Sequence, residues 1–420
     1  MRGGDTCAVT TRDESLPAKG RRPKAVVLGV AAVALAALSL RPVATAVGPV
    51  LQEIQEATGL SATGAGLLTA LPGLMFGAAA VIAVPLVRRL GVHAAMALGL
   101  LVVALGIGAR TVLDSPVAFL VLSALALVGA GVGNIIAPAF IKKRFAHRQA
   151  SLMTIYSTTL SIGATVAALV SAPIAQSSPD GWRWSLAIWG VAAAAAALPW
   201  IILQVVERRR GAVAVPPPPR GDARIWHSRR AVALALFFGL QSAQAYVQFG
   251  WVAQMYRDAG ASATLAGTMS SIIAGCGIVG GLLMSGIVQR VRDLRPIMIS
   301  LGALLVAGYL GILLAPLILP WLWAVLLGVS GFAFPAALAL ITARSRTADT
   351  AARLSGFTQG IGYLIAAAGP FLIGLLHDWS GGWVVPLIVL AGCGPVLAVA
   401  GVVAGSQGTV DDDLAASGSA

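Results

Sequence analysis

Twelve separate stretches of this chain stay apolar for about 20 residues or more, roughly 28–50, 63–87, 94–112, 117–140, 151–175, 184–206, 231–256, 264–288, 296–316, 319–342, 353–376 and 383–405. A helix rises about 1.5 Å per residue, so each stretch can cross the roughly 30 Å hydrocarbon core of a bilayer. No water is available there to satisfy backbone N–H and C=O groups, and a helix satisfies its own. Short polar turns such as Asp114-Ser115-Pro116 and Ser177-Ser178-Pro179-Asp180-Gly181 separate most of the stretches. The expectation is an all-α polytopic membrane protein with twelve transmembrane helices. A soluble domain is excluded: only 11% of residues are charged, against about 25% in soluble proteins. The three cysteines, Cys7, Cys276 and Cys393, are an odd number and the four histidines are scattered. Neither a disulfide framework, a metal site nor a cofactor is expected.

The net charge of +13 would suit nucleic acid, but its placement gives it another meaning. With the N-terminus taken as cytoplasmic, the tail and the inner loops hold 25 of the 29 basic residues. They run from Arg2 to Lys24, then Arg88 and Arg89, Lys142 to Arg148, Arg208 to Arg230, Arg290 to Arg295, and Arg344 to Arg353. The outer span ends hold Arg110, Arg183 and Arg257, and Arg41 lies inside the first stretch. Short cytoplasmic loops carry excess Lys and Arg. Both termini are therefore expected in the cytoplasm of a multi-pass protein of the inner (plasma) membrane, with lipid rather than nucleic acid as its surroundings.

The chain partly repeats itself at an offset of 201. Gly59 matches Gly260, Ser61-Ala62-Thr63 matches Ser262-Ala263-Thr264, Arg89 matches Arg290, and Gly181-Trp182 matches Gly382-Trp383. The expected organisation is a tail 1–24, a six-helix half 25–206, a linker 207–230, a second six-helix half 231–405 and a tail 406–420. The linker holds Arg208-Arg209-Arg210 and Pro216 to Pro219, the composition of a semi-rigid spacer. The tails read as short and flexible. Two pseudo-symmetric halves related by an axis along the membrane normal resemble the major facilitator plan, which places a solute near the midplane between them.

Further residues narrow the resemblance. Leu40-Arg41-Pro42 is followed by Val47-Gly48-Pro49 and by Gly66 to Pro72. Gly133-Asn134 precedes Pro138 and Lys142, Met153-Thr154 precedes Tyr156-Ser157, and Phe237 to Ser242 precedes Tyr246. Together these are similar to the cyanate-permease/2-nitroimidazole-transporter (CynX/NimT) branch of the superfamily. Between the second and third stretches, Arg88 stands where the general superfamily pattern has an acid. The resemblance implies alternating access for a small, compact, anionic or nitro-bearing solute.

Arg41 carries most of the functional reading. A charge near the midplane costs roughly 2.5–3.5 kcal/mol on insertion scales and usually faces a cavity. Its bland alternative is a span that ends at Leu40, with Arg41 reaching to the interface. All sixteen acidic residues fall in tails, loops or span ends, so no mid-membrane carboxylate neutralises it. Its planar fork suits an anion or a nitro group. Candidate solute-binding residues are Arg41, Thr45, Asn134, Tyr156, Gln241, Ser242, Tyr246 and Gln359. Gln241, Gln244 and Gln248 share one stripe and read as the lining of a wet cavity, with interhelical glue as the alternative. Lys142 and Arg110 end spans and are open to an interfacial or a gating role.

No nucleophile with its base, paired carboxylates or phosphate loop is visible in the spans, so an enzyme is not expected. Loops of at most about 24 residues leave no folded output domain for a sensor. The reading is a secondary active or facilitative transporter, a monomer, with protons as a candidate coupling ion. The alternative is multidrug-type efflux of a neutral or cationic compound on the same fold, for which a buried acid would be the natural anchor and is missing.

Overall fold

The structure is a computed structural model that describes residues 23–145, 148–208 and 225–418. Most of the expected tail 1–24 and linker 207–230 lies outside the described residues. Twelve helices are long and apolar enough to cross a membrane. In chain order, spans 1 to 6 are Val27–Thr58, Thr63–Ala83, Val92–Arg110, Pro116–Ile141, Ser151–Ala175 and Gly181–Val206. Spans 7 to 12 are Arg229–Asp258, Ala263–Arg290, Arg295–Leu314, Pro320–Ala343, Arg353–Ser380 and Val384–Ala404.

The 201-residue offset reappears as local chemistry. Gly59 and Gly260 take φ of +71° and +95°, a region open to glycine without steric cost. They turn the chain out of spans 1 and 7. Two residues later, Ser61 and Ser262 accept hydrogen bonds from the Gly64 and Leu265 amides. Each satisfies one orphan donor at the start of the next helix. The same three-residue device opens span 2 and span 8.

Span 1 is longer than the sequence reading of 28–50, and it is not one helix. It runs as Pro23–Leu40, a short turn Pro42–Thr45, a 3-10 turn Gly48–Val50 and Leu51–Thr58. Pro42 has no amide to offer the carbonyl of Leu38, four residues back. Span 5 packs against that point through Gly163, where any Cβ would collide with the Leu38 carbonyl. Span 10 is interrupted as well, between Pro320–Ser330 and Ala333–Ala343. Both interruptions lie inside the bundle, where neighbouring helices cover the loosened backbone.

The two halves are joined on the face away from the chain termini. Arg257 at the end of span 7 donates from one nitrogen to both carboxylate oxygens of Glu53, at 2.8 and 2.9 Å. Thr63 donates to Asp378 at 2.6 Å, Thr264 to Gln176 at 3.2 Å, and Ser271 to the Thr165 carbonyl at 3.2 Å. Gly73 abuts Ala367, leaving a Cβ only 2.8 Å from its backbone. Toward the termini the spacing changes. Gly77, Gly281, Gly286, Gly356 and Gly360 have nothing within 4 Å of where a Cβ would stand. These positions have open space beside them.

The segment 406–420, expected to be flexible, forms the helix Val410–Gly418 and docks on the terminal ends of spans 7, 10 and 11. Asp413 accepts from Arg230 and from the Ser228 hydroxyl, Asp412 pairs with Arg346, and Asp411 accepts from the Arg346 amide and the Thr350 hydroxyl. Three consecutive acids at a helix start also suit the helix dipole. The acids alone do not reveal this in sequence, because their partners lie far away in the chain. Burial opposes the Asp411 charge, but the Arg346 amide and the Thr350 hydroxyl outweigh it and hold the carboxyl below its ordinary value.

A carboxyl lowered on docking contributes in full above the ordinary Asp value of about 3.9 and loses that contribution as pH falls through its docked value. A spin label on the tail helix should stay immobilised at pH 5 and become mobile only below about pH 4. Asp413→Asn should weaken docking at neutral pH by roughly tenfold, the scale of a charged hydrogen bond, read as faster tail proteolysis with the spans intact.

Breaking the far-face clamp gives a second expectation. Glu53→Gln removes the negative charge and one of the two oxygens that accept from Arg257, and should shift the halves toward opening on that face. Distances across it, measured between spin labels on spans 1 and 7, should lengthen relative to the unmodified pair.

Candidate functional site

The break in span 1 places Arg41 near the middle of the 32-residue segment Val27–Thr58, between the halves. Its guanidinium lies 5.9 Å from the ring centroid of Phe334 in span 10, a cation–π distance. Tyr156 of span 5, Tyr246 of span 7 and Tyr363 of span 11 lie within range of its charge. Among the described residues no carboxylate pairs with it.

The rings around it touch one another. Phe76 of span 2 meets Tyr246 at 6.4 Å and Tyr363 at 6.5 Å, edge to face. Phe238 of span 7 meets Tyr363 at 5.4 Å and Phe334 at 5.7 Å. These are the separations at which aromatic pairs attract. The result is a guanidinium facing a set of rings drawn from both halves.

Tyr156 donates to the Asn134 amide oxygen at 2.8 Å, which fixes the ring of one residue with the side chain of the other. Tyr246 is buried and Asn134 half-buried. Thus Arg41, Asn134, Tyr156 and Tyr246 share one neighbourhood.

The remaining candidates sit apart or are otherwise engaged. Thr45 turns its hydroxyl back to the Arg41 carbonyl at 3.3 Å. Gln241 is buried and reaches the Gly331 carbonyl at the break of span 10, at 3.5 Å, with its amide oxygen unpartnered. Ser242 is buried with a hydroxyl that has no partner. Gln359, one turn from Tyr363, accepts no ring contact and donates to Ser355 at 2.7 Å. The rest of the glutamine stripe acts within one half: the Tyr309 hydroxyl donates to Gln244 at 2.7 Å and Gln248 to that hydroxyl at 3.5 Å.

Sequence reasoning passed over Phe76, Phe334 and Tyr363. One signal was available for the last. The chain has only five tyrosines, and a hydroxyl-bearing ring inside a span seeks a polar surrounding. For the two phenylalanines there was none, because a ring facing a cavity and a ring facing lipid look alike in sequence.

The Major Facilitator Superfamily pattern matches residues 30–370 of the chain. Over 380 residues the chain is 31% identical to the 2-nitroimidazole transporter of Escherichia coli (strain K12), covering 90% of this chain and 95% of that protein. Over 352 residues it is 31% identical to the cyanate transport protein CynX of the same strain, covering 83% and 90%. Among solved structures, a bacterial homologue of the human lysosomal transporter Spinster, inward-facing and occupied, matches with a TM-score of 0.69. It is 16% identical and the match covers 94% of this chain and 95% of that one, a likeness of fold.

Asn134→Leu takes away the acceptor that holds Tyr156. It should destabilise the protein by about 1–2 kcal/mol, the cost of a buried hydroxyl left without its partner. Thermal unfolding of the purified protein checks this, and Tyr156→Phe in the same background should recover part of the loss.

Proposed function

The chain belongs to the Major Facilitator Superfamily, and on that premise we propose that it moves a small anionic or nitro-bearing solute across the plasma membrane by alternating access. The solute is cyanate-like or nitroimidazole-like. The observation that carries the reading is the guanidinium of Arg41, mid-span, facing rings from both halves, with no carboxylate partner among the described residues.

Its two parallel N–H donors match the two oxygens of a nitro or carboxylate group. The rings of Phe76, Tyr246, Tyr363 and Phe334 supply faces and edges for a flat body. Within the class this favours a nitro-bearing ring over a bare triatomic anion. Relatives named for 2-nitroimidazole and for cyanate support the same class. A cationic drug is disfavoured, since it would meet Arg41 with no acid to offset the repulsion.

With the termini cytoplasmic, the Glu53–Arg257 clamp closes the outside and the terminal face is the side open to the solute. Transport then requires the clamp to part and the terminal face to close, with the Arg41 neighbourhood as the pivot. Every acidic residue lies in a tail, loop or span end, so a mid-span carboxylate as proton carrier is no part of the proposal.

The test is ligand-induced thermal stabilisation of purified protein by cyanate, nitrite, small carboxylates, 2-nitroimidazole and lipophilic cations. One anionic or nitro-bearing compound should stabilise the unmodified protein. Arg41→Ala should bind it roughly 10- to 100-fold more weakly, the worth of about 1.5–3 kcal/mol for hydrogen bonds to a charged group. Arg41→Lys should recover little, lacking the fork. Stabilisation by cations alone, or equal shifts in both proteins, would overturn the reading in favour of drug efflux.

A further inference from the structure

Arg110 ends span 3, at the depth where a long basic side chain would ordinarily reach out to the interface. It does not: it is 1% exposed, one of the largest fully buried side chains in the protein. Nη1 donates to the Ser123 hydroxyl at 3.0 Å, and the guanidinium lies 5.3 Å from the ring centroid of Phe119. Nε has no partner, and among the described residues no carboxylate pairs with the group. A buried charge left this way is expensive, by several kcal/mol, so its surroundings should offer a place for a counter-charge.

Such a place lies beside it. A narrow cavity of about 20 Å³ is lined by Arg110 and Ser123 together with Val43, Thr69, Tyr246 and Gly250. That is room for one water or one ion of similar size. It crosses from the first half to span 7, on the far-face side of the ring set. Tyr246 belongs to both places, bordering this cavity and lying within range of the Arg41 charge.

We propose that this cavity is a second binding site, for a single small monovalent inorganic anion of about halide size, held by the Arg110 guanidinium and the Ser123 hydroxyl. It sits behind Tyr246, so an anion leaving Arg41 toward the far face would meet Arg110 next. The site shares an anion class with the reading of Arg41 but stands on different residues, so either can fail alone.

The experiment titrates purified protein with sodium bromide and, separately, sodium cyanate, against gluconate at constant ionic strength. Thermal stability is read for the unmodified protein, Arg41→Ala, Arg110→Gln and Ser123→Ala. Crystals soaked in bromide add an anomalous signal. Saturable bromide stabilisation is expected in the unmodified protein and in Arg41→Ala, weakened roughly tenfold or more in Arg110→Gln and several-fold in Ser123→Ala, with the bromide peak between Arg110 and Ser123. If Arg110→Gln does not fold, Ser123→Ala and the anomalous peak decide. No saturable bromide effect, an equal effect in Arg110→Gln, or a bromide peak elsewhere would overturn the site. Bromide stabilisation lost in Arg41→Ala but kept in Arg110→Gln would assign the anion to the first site and overturn it as well. Cyanate behaving like bromide across the variants extends the site to the transported class, and cyanate lost only in Arg41→Ala confines the second site to halides.

Discussion

A backbone amide or carbonyl without a partner costs several kcal/mol in hydrocarbon, and the architecture follows from that cost. It makes every apolar stretch a helix, and it confines irregular backbone to places that other helices cover. Spans 1 and 10 are interrupted, at Arg41 and at 331–332, and both interruptions face the interior. Where Pro42 deprives Leu38 of its donor, the bare Cα of Gly163 comes close to the stranded carbonyl. The break that this tolerates is what turns Arg41 into the space between the halves.

Charge is distributed by the same economy. The far face is clamped by Glu53 with Arg257 and by Thr63 with Asp378. Two guanidiniums remain in the interior without a carboxylate among the described residues: Arg41 among rings from both halves, Arg110 against Phe119 and Ser123. Tyr246 stands between them. The acidic tail helix adds a further set of pairs that tie the terminal ends of spans 7, 10 and 11 together.

Much of this was legible residue by residue. The apolar lengths mark twelve spans, and Gly59-to-Ser61 against Gly260-to-Ser262 reveals the repeat, because the same turn chemistry is needed twice. Arg41 stands out because no acid is near it in sequence. Tyr156 and Tyr246 were legible as polar rings inside spans. Phe76 and Phe334 were not, nor was the burial of Arg110, because lipid is as apolar as a protein interior and the apolar pattern does not say which side of a helix faces which. The tail helix was missed for another reason: Asp411 to Asp413 have their partners, Arg230 and Arg346, more than sixty residues away in the chain.

The sequence by itself determined the number of spans, the two-fold repeat, the excess of positive charge on one set of loops and the presence of an unneutralised arginine within a span. Each is imposed one helix at a time, by the thickness of the bilayer and the cost of an unpaired group within it. Only the tertiary structure decided which rings surround Arg41, that Arg110 turns inward instead of out to the interface, that the halves close on the far face, and that the acidic tail is docked. These depend on how each helix is rotated and tilted against its neighbours, which is set by close packing at glycines and by hydrogen bonds between distant segments rather than by hydropathy along the chain.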